Sequence, residues 1–373
     1  MQIPYHGSTA NPMIRYRVPE MPLKPLARIS PSRFTSLQEC QLREIWSAQK
    51  DEAPLLPEAP SLKIGLVIHK ILEHAVQGMI RSEAEMSGLW ELEISRIEEQ
   101  MKNNPLEANL VPLFRHVRNY EVKKYSCFAA IKNYVCKKSC CKSKDKRHSV
   151  SELWVETADK KAGGRIDLVR QTQSGVQIID FKSGRITDEV SGSIIKHEYQ
   201  IQMKLYGAIY YAARKSWPVR LTLIGLNNVE MDVPFEAGEC EQLLCTAKEL
   251  LDNINQKLSH SSQENFAFPT PMNCRNCGFR PACRRYWSEK TDCYSWPLDV
   301  KGVPVFIQTS GNGFLRVDID SGNGIARIRG LDPERFDFLT ADCQEVCFCN
   351  LRMDPAPGFF IPTAFTQGYI TKA

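Results

Sequence analysis

The chain has 373 residues, 43% of them hydrophobic and 24% charged, and a formal net charge of +5. That length allows about two domains, and the composition is that of an ordinary folded protein rather than a disordered one. The mild positive balance admits a nucleic-acid partner without demanding one. No stretch approaches the roughly 20 apolar residues needed to cross a bilayer, and the opening segment MQIPYHGSTANPMIRYRVPEMPLKPLARIS has no apolar signal core. The expectation is a cytoplasmic protein with no membrane partner. Fourteen cysteines in a reducing compartment point to metal or cluster ligation before disulfides.

Residues 1–28, with Pro4, Pro12, Pro19, Pro22 and Pro25, read as an extended N-terminal arm. SPSRFTSLQECQLREIW reads as a helix beginning at Ser32 or Ser36, since Phe34, Leu37, Cys40, Leu42, Ile45 and Trp46 follow helical spacing. After the connector DEAPLLPEAP, a second helix is marked by Ile64, Ile68, Ile71, Leu72, Ala75, Met79 and Ile80. Residues 83–148 form a mainly helical insertion that ends in CKKSCCKSKDKRH. The period then changes to that of strands in SELWVET, GGRIDLVRQ and VQIIDFKS, the last two joined by a tight turn at Thr172-Gln173-Ser174-Gly175. A helix over HEYQIQMKLYGAIYYAARK, strands in VRLTLIGLN and VEMDVPF, and a long helix from AGECEQLL complete a mixed α/β core of order α-β-β-β-α-β within residues 29–296. PVFIQTS, FLRVDID, GIARIRG, EVCFCN and FFIPTAF then give a small all-β C-terminal module over residues 297–373.

Asp167 and Asp180 lie on the two strands joined by the tight turn, so the hairpin brings their carboxylates toward one edge of the sheet. Hard cations such as Mg²⁺ and Mn²⁺ take oxygen ligands, and one or two carboxylates with water and phosphate suffice. Such an ion lowers the pKa of bound water and neutralises a phosphodiester under attack. Lys182, two residues beyond Asp180, shares its strand face and is placed to orient water or steady the phosphorane. A D-x-K triplet by itself is equally a solvated strand end. Two helical lines accompany it: Gly65, His69 and Glu73 at four-residue steps, and Gln202 with Tyr206.

In order along the chain, Gly65…His69, Gly164-Arg-Ile-Asp167, Asp180-Phe-Lys182 and Gln202…Tyr206 resemble the RecB-like branch of the PD-(D/E)XK nuclease superfamily, over roughly residues 29–290. The resemblance implies a restriction-endonuclease-like fold and a Mg²⁺- or Mn²⁺-dependent nuclease. It implies His69, Asp167, Asp180 and the Phe181 carbonyl as metal ligands, and Lys182 as the catalytic lysine beside the catalytic Asp167 and Asp180. Glu73, Gln202 and Tyr206 take supporting or DNA-contacting roles.

Cys274-Arg-Asn-Cys277 with Cys283 forms a C-x2-C-x5-C cluster. Its two-residue gap suits one metal centre, and three thiols leave such a site one ligand short. Zinc would draw on a neighbour such as Cys293, whereas a [4Fe–4S] cluster takes ligands from distant segments. The chain resembles an iron–sulfur subset of these nucleases, which includes AddB-type subunits and CRISPR-associated adaptation nucleases. That resemblance implies a cluster on Cys40, Cys274, Cys277 and Cys283, with structural Zn²⁺ the competing reading. Cys136, Cys140 and Cys141, with His148, allow a second metal site but read first as free thiols; Lys137, Lys138, Lys142, Lys144 and Lys146 around them read as a solvated charge run, with a phosphate-contacting face the alternative, and Cys343, Cys347 and Cys349 lack ligand spacing.

The function implied is hydrolysis of DNA, at single strands or ends, in repair, recombination or defence against foreign DNA. The alternative is a DNA-end-binding subunit of a larger motor complex. No G-x4-G-K-[ST] pattern occurs, so a helicase or ATPase would come from another chain. RNA or modified bases are further substrate classes. Phe306, Phe314, Arg316 and Arg327 give the C-terminal strands an aromatic and basic mix of the kind that meets single strands.

Overall fold

The computed structural model describes residues 16–49, 53–80, 82–140, 149–188, 192–226, 229–291, 295–340 and 344–372, with backbone alone for 133–140 and 372. The cysteine and histidine at 141 and 148, Cys293, Cys343 and Lys142, Lys144 and Lys146 therefore lie outside the described residues, and so do the side chains of Cys136, Cys140, Lys137 and Lys138.

The first helical stretch is two helices, α1 (Phe34–Glu39) and α2 (Gln41–Ser47), not the single one its spacing predicts. Cys40 breaks them apart with an extended backbone, φ −156° and ψ 101°. Apolar spacing is blind to a one-residue break that leaves both halves facing the core, where Phe34, Leu37, Leu42, Ile45 and Trp46 are all buried. Helix α3 (Pro60–Val76) starts with Pro60 in its first turn, where the missing N–H costs nothing. The insertion supplies α4 (Glu83–Lys102), the short α5 (Leu113–His116) and α6 (Tyr120–Cys140).

Strands β1 (Ser149–Glu156), β2 (Gly163–Thr172), β3 (Gly175–Lys182), β4 (Arg220–Gly225) and β5 (Glu230–Asp232) form one sheet in that spatial order. Only β3 and β4 run parallel among these pairs, and helix α7 (His197–Arg214) makes the crossover between them. Successive residues of a strand point to opposite faces. Ile178 accordingly joins the core under α7 and α8 (Ala237–Leu258), while Ile179 and Phe181 join the core under α3 with Ile64, Ile68 and Ile71. Strand β3 is thus clamped between α3 and α7.

Helices α9 (Pro271–Arg275) and α10 (Arg284–Glu289) frame the cysteine loop. Beyond them β6 (Val300–Thr309), β7 (Leu315–Asp320), β8 (Ile325–Leu331), β9 (Glu345–Cys349), β10 (Arg352–Met353), β11 (Phe360–Ile361) and β12 (Gln367–Lys372) form a second sheet, ordered β10-β11-β8-β7-β6-β9-β12. It curls into a half-barrel around Val317, Ile319, Ile328, Phe336 and Phe348. The expected strand FFIPTAF shrinks to Phe360–Ile361, because Pro362 has no N–H to continue a ladder. Strand β12 completes the far edge by pairing with β9.

Several contacts join the two parts, among them those of the arm and of the cysteine loop. In the arm, Val18 N donates to the Ile370 carbonyl at 3.1 Å and Ile370 N to Tyr16 at 2.7 Å, while Met21 and Leu26 are buried in the α7–α8 core. Between the cysteine loop and the half-barrel lies Arg280, 2% exposed, paired with Asp299 at 2.7 Å. Arg280 also donates to the carbonyls of Cys274 (2.9 Å) and Cys277 (3.0 Å) and to Asn350 Oδ1 (2.5 Å). Asp299 accepts further bonds from the Tyr286 hydroxyl and Asn350 N, both at 2.8 Å. Every donor of this buried ion pair has work, which is what keeps a buried charge tolerable. No described helix is long and apolar enough to cross a membrane.

Candidate active site

The register of the β2–β3 hairpin runs from Thr172↔Gly175 to Leu168↔Ile179, and one step further sets Asp167 across from Asp180. Asp167 Oδ2 accepts the Phe181 N–H at 2.8 Å and stands 3.5 Å from His69 Nδ1 on α3. Asp180 is 4% exposed. Its Oδ1 accepts from Gln202 Nε2 at 2.9 Å, and Gln202 Oε1 accepts from Lys182 Nζ at 2.8 Å. One amide therefore holds both the carboxylate and the lysine.

The other oxygen of Asp180 is different. Lys182 Nζ stands 2.8 Å from Oδ2, yet Oδ2 is buried with no hydrogen-bond partner. The ammonium group thus pairs with this oxygen by charge, off the geometry of a hydrogen bond. The ammonium group also lies 4.4 Å from the centre of the Tyr199 ring, a cation–π contact that fixes its approach.

Electrostatics set the protonation states. Burial, and then the charge of Asp180, hold the Asp167 carboxyl well above its usual range, against the pull of the Phe181 N–H. Burial also lowers His69, against the carboxylate of Asp180. A lowered His69 is neutral near pH 7 and keeps a ring lone pair free for a cation.

The glycines of the two motifs serve close approach. A Cβ on Gly65 would stand 3.2 Å from Ser183 Oγ, so α3 rides directly over the end of β3. A Cβ on Gly164 would stand 3.0 Å from Tyr206 Cε1 and 2.9 Å from Pro31 Cδ. Tyr206 occupies that space and donates its hydroxyl to the Arg165 carbonyl at 2.8 Å, and its phenol is raised by burial. Tyr206 thus braces the strand that carries Asp167.

Glu73 is drawn aside by Lys70 (2.8 Å) and Gln77 (3.0 Å), and Gln77 also reaches Ser151 Oγ on β1 at 2.8 Å. Its charge acts instead on a residue the motifs do not include. Glu152 falls between Ser151↔Leu168 and Leu153↔Ile166 in the β1–β2 register, hence opposite Asp167. Its φ of +54° is the left-handed region, costly for glutamate inside a strand. Arg165 Nη1 lies 3.5 Å from it, and burial followed by the charge of Glu73 raises its carboxyl. Glu152, Asp167 and Asp180 thus form a rank across three strands.

Cys40 and the cysteine loop are tied together by their neighbours. Asn273 Nδ2 donates to the Glu39 carbonyl at 2.9 Å, and Arg43 Nη1 to the Asn273 carbonyl at 3.1 Å. Burial, then the neighbouring Cys277, pushes Cys274 up to about 12, and Cys40 acts on it as well. Cys283 is also pushed up to about 12, first by burial and then by Cys277, Cys40 and Cys274. Among the described residues, however, no group of three His, Cys, Asp or Glu side chains closes into a cage for one ion. On the half-barrel, Arg316 lies over Phe306 (5.4 Å) but pairs with Asp318 at 2.8 Å, and Arg327 stands 3.8 Å from the same carboxylate. Asp318 offsets only one of these two arginine charges, and Phe314 stays exposed.

A sheet flanked by helices, with paired aspartates and a lysine at one strand end, defines a nuclease-type core. The family model described as the PD-(D/E)XK nuclease superfamily matches residues 28–284, and the chain belongs to that superfamily. Its members are typically metal-dependent phosphodiester hydrolases acting on nucleic acid. No curated protein matches the chain. A solved structure described as "Crystal structure of SSO0001" is similar at 14% identity and a TM-score of 0.24, covering 51% of this chain and 97% of that one.

Proposed function

We propose that the protein is a Mg²⁺- or Mn²⁺-dependent deoxyribonuclease of the RecB-like branch, acting on single strands or ends. The observation that carries this reading is the convergence of Asp167, Asp180 and Lys182 at one strand end, with His69 Nδ1 3.5 Å from Asp167 Oδ2. Carboxylate oxygens with one imidazole are donors of the kind a hard divalent cation takes, although among the described residues no three such side chains already converge on one point. His69, Asp167, Asp180 and the Phe181 carbonyl would hold it. When bound, the ion would supply a nucleophilic water at neutral pH and charge neutralisation at the phosphate.

The chain's own side chains do the positioning. Gln202 fixes Lys182 and Asp180 relative to each other, and the Tyr199 ring steers the ammonium group. Lys182 is then set to orient the attacking water and to offset charge on the phosphorane. Tyr206 keeps β2, and with it Asp167, in place. A clamp that only bound DNA ends would need none of this arrangement around Lys182.

The cysteines at 40, 274, 277 and 283 are proposed to carry a [4Fe–4S] cluster. In support stand their four-thiol donor set and the hydrogen bonds that tie residues 39–43 to Asn273. Loss of a broad visible absorption on iron chelation is expected; a colourless protein carrying zinc would sink the cluster. The division into an arm (1–28), a nuclease domain (29–296) and a C-terminal module (297–373) belongs to the same proposal. So do roles in DNA repair or defence and a partnership with a separate motor subunit.

The direct test is incubation with end-labelled DNA, single- and double-stranded, linear and circular, in Mg²⁺ and in Mn²⁺. Cleavage is expected, and Asp180→Ala and Lys182→Ala should each abolish it while far-UV circular dichroism stays unchanged. Undiminished cleavage by either variant removes the assignment.

A further inference from the structure

Strand β8 ends in Arg-Gly-Leu, and the glycine interrupts its pairing. The β7–β8 register passes from Arg316↔Arg329 to Leu315↔Leu331, which leaves Gly330 unpaired at φ +78°. Such a bulge favours glycine, because side chains strain at that φ, and it bends the strand. Gly330 lies in the wall of a cavity of ~610 Å³. The other walls are His116 from α5, Phe314 just ahead of β7, the turn carrying Asp332 and Arg335, Arg352 on β10, and the stretch from Pro362 to Phe365. No residue of the β2–β3 hairpin, α3 or α7 is among those that line it.

The charge of the lining narrows what the cavity takes. Arg335 is half-buried, and its guanidinium donates to the carbonyls of Thr363 (3.4 Å) and Thr366 (2.7 Å). Burial lowers its pKa against the pull of Asp332, so this cation is poorly compensated. Neither Arg335 nor exposed Arg352 comes within ion-pair distance of a described carboxylate, and Asp354, two residues from Arg352, is taken by Arg329 at 2.5 Å. Asp332, the one acid in the lining, accepts the Glu334 N–H at 2.9 Å. Two guanidinium forks and a histidine ring against a single carboxylate call for an anion, and phosphate matches the fork. The volume far exceeds what a bare phosphate fills and lies in the range of small-ligand pockets. Phe314, 41% exposed, offers a flat face of the kind on which a base stacks.

We propose that this cavity is a nucleoside-phosphate site separate from the catalytic hairpin, with Arg335 and Arg352 on the phosphate and Phe314 against the base. A free mononucleotide and the phosphorylated terminal nucleotide of a strand present the same chemistry to it. The inference goes beyond the nuclease reading and stands without it, since the two sites share no residue.

Isothermal titration calorimetry of the full chain, with EDTA present so that nothing is cut, tests this. The probes are deoxyadenosine 5′-monophosphate, inorganic phosphate, a 5′-phosphorylated oligodeoxyadenylate and an acidic peptide. The mononucleotide should bind roughly tenfold tighter than inorganic phosphate, the scale of one stacked base. Arg352→Gln and Phe314→Ser, both at exposed side chains, should each weaken it roughly tenfold, the scale of one charged hydrogen bond or one stacking face, with an unchanged melting temperature. Asp180→Ala should bind the mononucleotide as the wild type does. An oligonucleotide that matches the mononucleotide, and weakens equally in Arg352→Gln, supports the site and makes its ligand a strand end. One that binds no better than inorganic phosphate supports it with a free nucleotide as ligand. The proposal is overturned if the mononucleotide binds no better than inorganic phosphate, or if either exposed variant binds it as the wild type does. Loss of binding in Asp180→Ala would place the ligand in the catalytic site instead, and tighter binding of the acidic peptide would make the cavity a protein contact; each overturns it.

Discussion

Gln202 spends both ends of its amide on the site, donating to Asp180 and accepting from Lys182. Leucine in its place keeps the volume and loses both bonds, so Gln202→Leu should lower kcat on the order of 10²-fold, the cost of a small misplacement of reacting groups, with the fold unaltered by circular dichroism. Asp167 gives a signed pH effect. Its folded-state pKa is raised, so the stability tied to its proton is present below the ordinary carboxylate range and lost as pH rises through the raised value. Asp167→Asn should therefore raise the melting temperature of the metal-free protein at pH 8, by ~2–4 °C, and have a smaller effect toward pH 4. Adding Mn²⁺ should reverse the ranking at pH 8, because the wild type gains a ligand-bound state that the asparagine variant holds poorly. A wild type that melts above the variant without metal at pH 8 would contradict the shift.

At the scale of elements, the motif residues were legible because each pair is local: Gly65 with His69 on one helix, Gly164 with Asp167 on one strand, Gln202 with Tyr206 on another helix. Their order along the chain then identified the core. The contacts that join the pairs were not legible, since they depend on register and on how closely elements pack. Glu152 shows why. Its place opposite Asp167 depends on the turn over residues 157–162 and on a left-handed backbone that no strand pattern announces. Strand β12 was hidden likewise, because it is defined by its pairing with β9 rather than by its own short run. The packing of Gly164 against Tyr206 and Pro31 is testable at this scale. Gly164→Ala must displace one of them, so chemical denaturation should show a loss of about 1–3 kcal/mol. An unchanged midpoint would mean that β2 is not braced there.

Across the whole molecule, the half-barrel and the nuclease core meet at the Arg280–Asp299 pair. Removing one partner leaves a buried charge without compensation, a change costing about 3–5 kcal/mol. Asp299→Ala should thus lower the urea midpoint sharply, and limited proteolysis should cut near residue 297 first. If the variant unfolds at the wild-type midpoint, the two parts are only loosely joined. The short strand-like runs after residue 297 foretold a second, β-rich region but not that the cysteine loop would be its mounting, because Arg280 looks like any surface arginine in sequence.

The pairing of Val18 with Ile370 has a kinetic side. During synthesis the arm is made well before its partner strand, with most of the described residues between them. Closing so long a loop is slow, and high contact order delays the steps that depend on it. During synthesis the catalytic hairpin can form as soon as its own residues emerge, whereas the arm must wait for the final strand. In pulse-labelled refolding, amide protection at Val18 should therefore lag behind that of β2 and β3. Over that interval Met21 and Leu26 lack the anchor that this pairing gives them, which makes the newly made arm the segment most open to capture by other chains.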